Sequence, residues 1–458
     1  MQVLICGAGQ VGYSIARYLS NESTDVTLVD LSEELIAKAL DSLDVRGVVG
    51  HASYPTVLAQ AGAADADMII AVTQSDEVNM VACQVAHSLF NITTKIARIR
   101  QSAYSDPKWS NMFTRDHMPI DLIISPEQEV ARAIRRRLEV PGAFDIIPMG
   151  GGAVSIVGVR CVEDTPILDT PLNKLDPLFP DLAITVLFIE RNGEKIVPKG
   201  DEILLVGDEV YLALATEHLK RGLAVFGHEE TEGRRVLIVG GGNIGSHLGQ
   251  LLEEERPDVR VKLIELDKNQ AKRAAQNLSK TVVLHGDALD PDILTEASVS
   301  QTETIVAVSN DDEVNILVSL LAKRHGCQRA VTLVNKRGYG NLISQLGIEA
   351  IVNPRAITVS HILQFVRQGL VRSVHTLAEG VGEVIEVEAM ETSGIVGKTL
   401  SAAKISKGIR LGMIVRGDSL ISPRGDTVIE PHDRVVLFAT ADTVKKVEKL
   451  FTVSLEFF

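Results

Sequence analysis

Val3-Leu4-Ile5-Cys6-Gly7-Ala8-Gly9-Gln10-Val11-Gly12 is a short β-branched run that breaks into a Gly-x-Gly-x-x-Gly turn. Three glycines at this spacing are weak evidence alone, because glycine serves many turns. Here a predicted strand precedes them and a predicted helix follows, which is the context a dinucleotide fold requires. The first glycine permits the tight turn, the second lets backbone approach a pyrophosphate, and the third lets helix pack on strand. Gln10 and Val11 open a helix whose unpaired N–H groups and positive dipole end suit phosphate. Asp30 ends the next apolar run, about 20 residues on, where a carboxylate can bind ribose hydroxyls.

The same passage returns. Val236 to Gly245 repeats the strand and turn, with Gly240, Gly242, Asn243, Ile244 and Gly245 in the matching places and Glu265 as the matching acid. Gly50-His51-Ala52 is echoed by Gly286-Asp287-Ala288, and Ile69 to Thr73 by Ile305 to Ser309. Asp76-Glu77-Val78-Asn79 returns as Asp312-Glu313-Val314-Asn315. One order at nearly one offset indicates duplication. Within each copy, short β-branched runs alternate with helical patterns, so the class is α/β with parallel sheets. Both copies reach a helix start, Ser125-Pro126 and Asn353-Pro354, with a capping residue before a first-turn proline. Arg132, Arg135, Arg136 and Arg137 follow the first start; with Glu127, Glu129 and Glu139 they are expected to form a solvated face.

Beyond each helix the pattern changes to strands around Val154–Val159, Ile184–Ile189 and Val210–Leu214, with an Asn192-Gly193 turn. Val384–Val387, Met413–Val415 and Val435–Phe438, with Gly417-Asp418, repeat it, and each small unit ends in a charged helix near Lys220 or Lys445. The expected order is a Rossmann-like domain at 1–140, a small α+β domain at 141–228, and the same pair at 233–371 and 372–458. A charged linker, His228 to Gly233, joins the halves.

Composition narrows the function. A formal charge of -14 opposes nucleic acid and anionic membrane surfaces, and 4% aromatic residues supply few stacking platforms. No apolar run nears the roughly 20 residues of a membrane span, and no signal peptide is apparent, so a cytosolic chain is expected. Cys6, Cys83, Cys161 and Cys327 lack paired spacing, which predicts small buried residues, not metal ligands or disulfides.

Asp30 and Glu265 would repel a 2′-phosphate, and Leu31 and Leu266 offer no cation to hold one, so NAD(H) or an adenine nucleotide is favoured over NADP(H). A dehydrogenase would need an acid–base group beside the nicotinamide. His51 is the best candidate, but its counterpart is Asp287, which suggests ligand contact. No enzymatic activity is expected; an NAD-dependent oxidoreductase is the alternative.

Two truncated dinucleotide folds, each with a small appendix, resemble RCK (regulator of potassium conductance) modules over essentially the whole chain. Gly286 to Pro291 and Asp312 to Asn315 carry the likeness most specifically. Their tandem, membrane-free arrangement is similar to the regulatory subunits of bacterial Trk potassium-uptake systems. The resemblance implies a small RCK C-terminal-type domain after each Rossmann-like domain, and sites for NAD(H) and for ATP or ADP. It also implies a homotetrameric ring that docks on the cytosolic face of a TrkH- or TrkG-like translocator, peripheral to the membrane and not inserted in it. Carried over by residue, it places Gly7, Gly9 and Gly12 on phosphate, Asp30 on ribose, His51 and Ala52 at adenine, Thr73 beside the ligand, and Arg98 at a phosphate. Gly240, Gly242, Gly245, Glu265, Asp287, Ala288 and Ser309 take those places in the second copy. Arg98 is aligned with Thr332, so the second site is expected to lack that cation. Regulation of a different transporter is a further alternative.

Overall fold

In a computed structural model the described residues are 1–21, 24–230, 232–336, 339, 343, 346–366, 371–377 and 381–451. The chain divides into two compact units, Met1–Glu129 with Arg355–Val366, and Val130–Pro354 with Arg367–Phe458.

In the first unit, β1 (Gln2–Cys6), α1 (Gln10–Asn21), β2 (Asp25–Asp30), α2 (Glu33–Ser42), β3 (Arg46–Val49), α3 (Pro55–Gln60), β4 (Met68–Ala71), α4 (Asp76–Phe90), β5 (Thr94–Arg98) and β6 (Leu122–Ile124) alternate. The six strands form one parallel sheet in the order β3-β2-β1-β4-β5-β6. That is the doubly wound order, whose ligand crevice lies at the carboxyl ends where the order reverses between β1 and β4. Both sheet faces are covered, so β1 and β4 are apolar almost throughout, with Leu4, Ile5, Ile69 and Ile70 buried.

The second unit opens on most of α5 (Pro126–Glu139) and continues into β7 (Ala143–Met149), β8 (Val154–Arg160), α6 (Leu175–Leu178), β9 (Thr185–Arg191), β10 (Glu194–Ile196), β11 (Glu209–Ala215) and α7 (Leu219–Val225). The strands pair antiparallel in the order β10-β9-β11-β8-β7. Asn192 and Gly193 both have positive φ, 52° and 82°, the geometry of a tight hairpin that matches strand twist. The expected strands are present, and β7 precedes them.

The second parallel sheet holds β12 (Arg235–Val239), α8 (Asn243–Glu255), β13 (Arg260–Glu265), α9 (Lys268–Asn277), β14 (Val282–His285), α10 (Pro291–Glu296), β15 (Thr304–Ala307), α11 (Asp312–Arg324), β16 (Arg329–Leu333) and β17 (Ala350–Val352), in the order β14-β13-β12-β15-β16-β17. After α12 (Pro354–Val366), the last antiparallel sheet contains β18 (Val371–Leu377), β19 (Gly382–Glu388), β20 (Ile409–Arg416), β21 (Ser419–Ile421) and β22 (Arg434–Thr440), and α13 (Val444–Phe451) follows.

The two antiparallel sheets share an apolar core, with Phe188 and Phe438 rings 5.2 Å apart. Each also carries one bidentate pair. Arg191 holds Asp208 at 2.9 and 2.8 Å, and Arg416 holds Asp433 at 2.8 and 2.7 Å, both acids being buried.

The helices after the two proline starts leave their own sheets. In the first unit, α12 packs Val359, Ile362 and Leu363 into the core made by Ile5, Ile15, Leu19 and Ile96. In the second unit, Arg135 of α5 bridges to Glu255 of α8 at 2.9 Å. The expected pairing within the helix is present, Arg135 also meeting Glu139 at 2.7 Å, but the expectation of a wholly solvated arginine face is corrected. Arg132 is exposed, but Arg137 is largely buried, pairs with Asp145 at 2.5 Å and donates to the Phe144 carbonyl. Burial of the helix on another module demands partners for those charges.

Candidate functional site

Gly7 lies at φ +108°, where a side chain is strained, and a Cβ on Gly12 would sit 1.8 Å from the Gly7 carbonyl oxygen. These two glycines hold the turn against α1. Gly9 differs, since a Cβ there would meet nothing within 4 Å. The second turn repeats all three: Gly240 is at φ +105°, a Cβ on Gly245 would lie 1.9 Å from the Gly240 oxygen, and Gly242 faces open space. In each turn the middle glycine is thus spared any internal packing demand, as a ligand-facing backbone position should be.

The acids brace the turns. Asp30 accepts from the Ala8 N–H at 2.6 Å through Oδ2 and from the Ser32 N–H at 2.9 Å through Oδ1. Glu265 accepts from Gly241 at 2.6 Å and from Asp267 at 2.7 Å. Each carboxylate joins the Gly-rich turn to the start of the next helix, and its remaining lone pairs can accept ribose hydroxyls. Ala52 and Ala288 are buried.

His51 stacks on Tyr54, ring centroids 4.6 Å apart, and its Nδ1 lies 2.8 Å from Ser53 Oγ and 3.4 Å from the Ser53 N–H. An amide can only donate, so Nδ1 is the acceptor and Nε2 carries the proton. Asp287 makes the same turn with its carboxylate, accepting from the Leu289 N–H at 2.9 Å. The two residues share a loop role while differing in what they offer a ligand: an N–H donor in the first copy, an acceptor in the second.

Thr73 and Ser309 stand where a carboxamide fixes them. Asn79, fully buried, accepts from the Thr73 N–H at 2.8 Å and donates to the Arg98 carbonyl at 2.9 Å. Asn315 accepts from the Ser309 N–H at 2.8 Å and donates to the Leu333 carbonyl at 3.1 Å. These bonds correct the alignment of Arg98 with Thr332. Asn79 reaches 19 residues along the chain and Asn315 reaches 18, so the second connection is one residue shorter and Arg98 corresponds to Leu333. The strand register agrees, Ala71 pairing with Ala97 and Ala307 with Thr332. Thr332 is buried, its hydroxyl 2.7 Å from Ser319 Oγ. The Arg98 Nε is buried without a hydrogen-bond partner, and burial, then nearby Arg100, holds the guanidinium below its ordinary pKa.

Two contributors escaped the sequence reading. The Asn79/Asn315 bridge was visible as a repeated Asp-Glu-Val-Asn stretch, but its target carbonyls were not. Gln270 in α9 donates to the Gly241 carbonyl at 2.5 Å and is itself held by Arg273 at 2.6 Å. Leu35 takes the matching place in the first copy, so no polar pattern flagged it.

The TrkA-N domain family matches residues 3–126 and 236–354, and the TrkA-C domain family matches 384–452. The chain belongs to the TrkA family. The Trk system potassium uptake protein TrkA of Azorhizobium caulinodans is 52% identical over 458 residues, covering 100% of both chains. The crystal structure of the GsuK RCK domain superposes with a TM-score of 0.60 at 19% identity, covering 98% of this chain and 94% of that one. The GsuK channel bound to NAD gives 0.60 at 19% identity, covering 98% and 78%. At that identity the likeness establishes the RCK fold of this TrkA-family chain. Among the described residues, no helix is long and apolar enough to cross a membrane.

Proposed function

We propose that this TrkA-family chain is the nucleotide-sensing regulatory subunit of a Trk-type potassium-uptake channel, binding NAD(H) and adenine nucleotides at its two Gly-rich turns. The observation that carries the reading is a construction made twice. An acid braces the turn, two glycines hold it closed, and the middle glycine alone faces open space. Gly9 and Gly242 would take phosphate, Asp30 and Glu265 ribose, His51 or Asp287 with Ala52 or Ala288 the base, and Thr73 or Ser309 would border the ligand. Arg98 supplies a phosphate cation to the first site, and Leu333 leaves the second without one. The chain's Rossmann-like and small domains meet near residues 140, 228 and 371, and four chains form a ring on the cytosolic face of a TrkH- or TrkG-like translocator.

The chain's work is then a population shift and not a reaction. A ligand moves an equilibrium between two ring arrangements only through unequal affinity for them. NAD+ and NADH differ in nicotinamide charge, and ATP and ADP in a γ-phosphate, so each pair can supply that inequality. The translocator reconstituted in vesicles with this chain should change its potassium flux when these nucleotides are exchanged. Flux indifferent to all four would refute the regulatory reading.

A further inference from the structure

We propose that Arg355, a residue of the second repeat, contacts the phosphate chain of a nucleotide bound at the first Gly-rich turn. The proposal rests on the nucleotide-binding reading above and assigns that site a residue from outside its own module. By sequence, α12 follows β17, the last strand of the second parallel sheet. Its apolar face is nevertheless set in the core of the first unit, against Ile5, Ile15 and Leu19. That packing brings the start of α12 to the start of α1, where Arg355 Nη2 donates to Oε1 of Gln10, the residue after Gly9.

Electrostatics gives the contact a direction. The N-terminus of α1 carries the positive end of a helix dipole, so a guanidinium there is repelled unless an anion lies between them. Arg98 ends β5 at the same carboxyl edge of the sheet, its buried Nε lacking a hydrogen-bond partner, and Arg100 follows, with Asp76 and Glu127 as the acids beside them. A chain with a net charge of -14 thus sets three arginines along the carboxyl edge of its first parallel sheet. In the second repeat Leu333 stands for Arg98 and Asn335 for Arg100, while Glu127, the sequence counterpart of Arg355, lies 4.0 Å from Arg100 in the first unit. The cationic equipment therefore belongs to the first site, where it would hold the pyrophosphate common to NAD(H) and ADP. A nucleotide held there would also hold the second repeat's crossover helix, giving the ligand a direct grip on both repeats.

The test uses the full chain carrying Gly242→Asp, which closes the second site at a position with room for the side chain. ADP is titrated at several salt concentrations. Arg355→Gln, which keeps an amide for Gln10 but no charge, should weaken ADP roughly ten- to a hundredfold and flatten the salt dependence. Arg355→Lys should keep the salt dependence. Unchanged ADP affinity in Arg355→Gln overturns the proposal, as does weakening with an unaltered salt slope, which would mark a structural role. ADP binding that survives Gly9→Asp in the same background would instead refute the site itself.

Discussion

Gly9 and Gly12 lie three residues apart and answer a side chain in opposite ways. Gly9→Asp adds atoms into open space, so the chain should melt at the wild-type temperature while losing its first nucleotide site. Gly12→Ala drives a methyl into the Gly7 carbonyl and should cost about 3 kcal/mol or more of stability, read from chemical denaturation. The cysteines give a second residue-level check. All four are buried, and burial pushes the Cys6 and Cys161 thiols up to about 12. A colorimetric thiol assay at pH 8 should find none reactive in the native chain and all four after unfolding; rapid native reaction would contradict the packing. The glycines, the acids and the cysteines were legible because each is constrained locally, by φ, by reach or by size. Asn79 was not, because its work is to close carbonyls 6 and 19 residues away. Asn79→Ala leaves the part-buried Arg98 carbonyl without that donor and should cost ~1–3 kcal/mol, as should Asn315→Ala for the buried Leu333 carbonyl.

Among the elements, those with clean periodicity could be placed from the sequence, and those defined by a distant surface could not. The apolar, β-branched runs in β8, β9 and β11 announced strands, whereas β7 reads Ala-Phe-Asp-Ile-Ile-Pro-Met, interrupted by an acid and a proline. The exchange of α5 and α12 was beyond reach for a different reason. An apolar stripe shows that a helix is buried, not which module buries it. Arg135 and Arg137 looked like parts of a solvated face because Glu255 is remote in sequence and Asp145 lies in a strand not expected. The paired clamps of the small domains offer the element-scale test. Arg191→Met strands Asp208 and Arg416→Met strands Asp433, each buried, and each should cost ~3–5 kcal/mol. Removing Arg135, whose partner Glu255 is half exposed, should cost no more than about 1 kcal/mol. Equal losses on denaturation would mean that burial does not set these energies.

For the whole molecule, duplication supplied two sites and divergence made them unequal. A regulator that transmits nucleotide state to a membrane partner needs subunits that move against one another. Light scattering should therefore report about four times the 49.5 kDa chain, and a monomer at micromolar concentration would remove the ring from the account. Calorimetry decides whether both Gly-rich turns are working and distinct nucleotide sites. NAD+, NADH, ATP and ADP are titrated into the wild-type chain and into Gly9→Asp, Gly242→Asp and the double mutant, with circular dichroism confirming the fold of each. The expected result is that each single mutant loses a different set of ligands, NAD(H) most in Gly9→Asp, and that the folded double mutant binds none. Wild-type heats from the folded double mutant, or identical losses from the two single mutants, would contradict it.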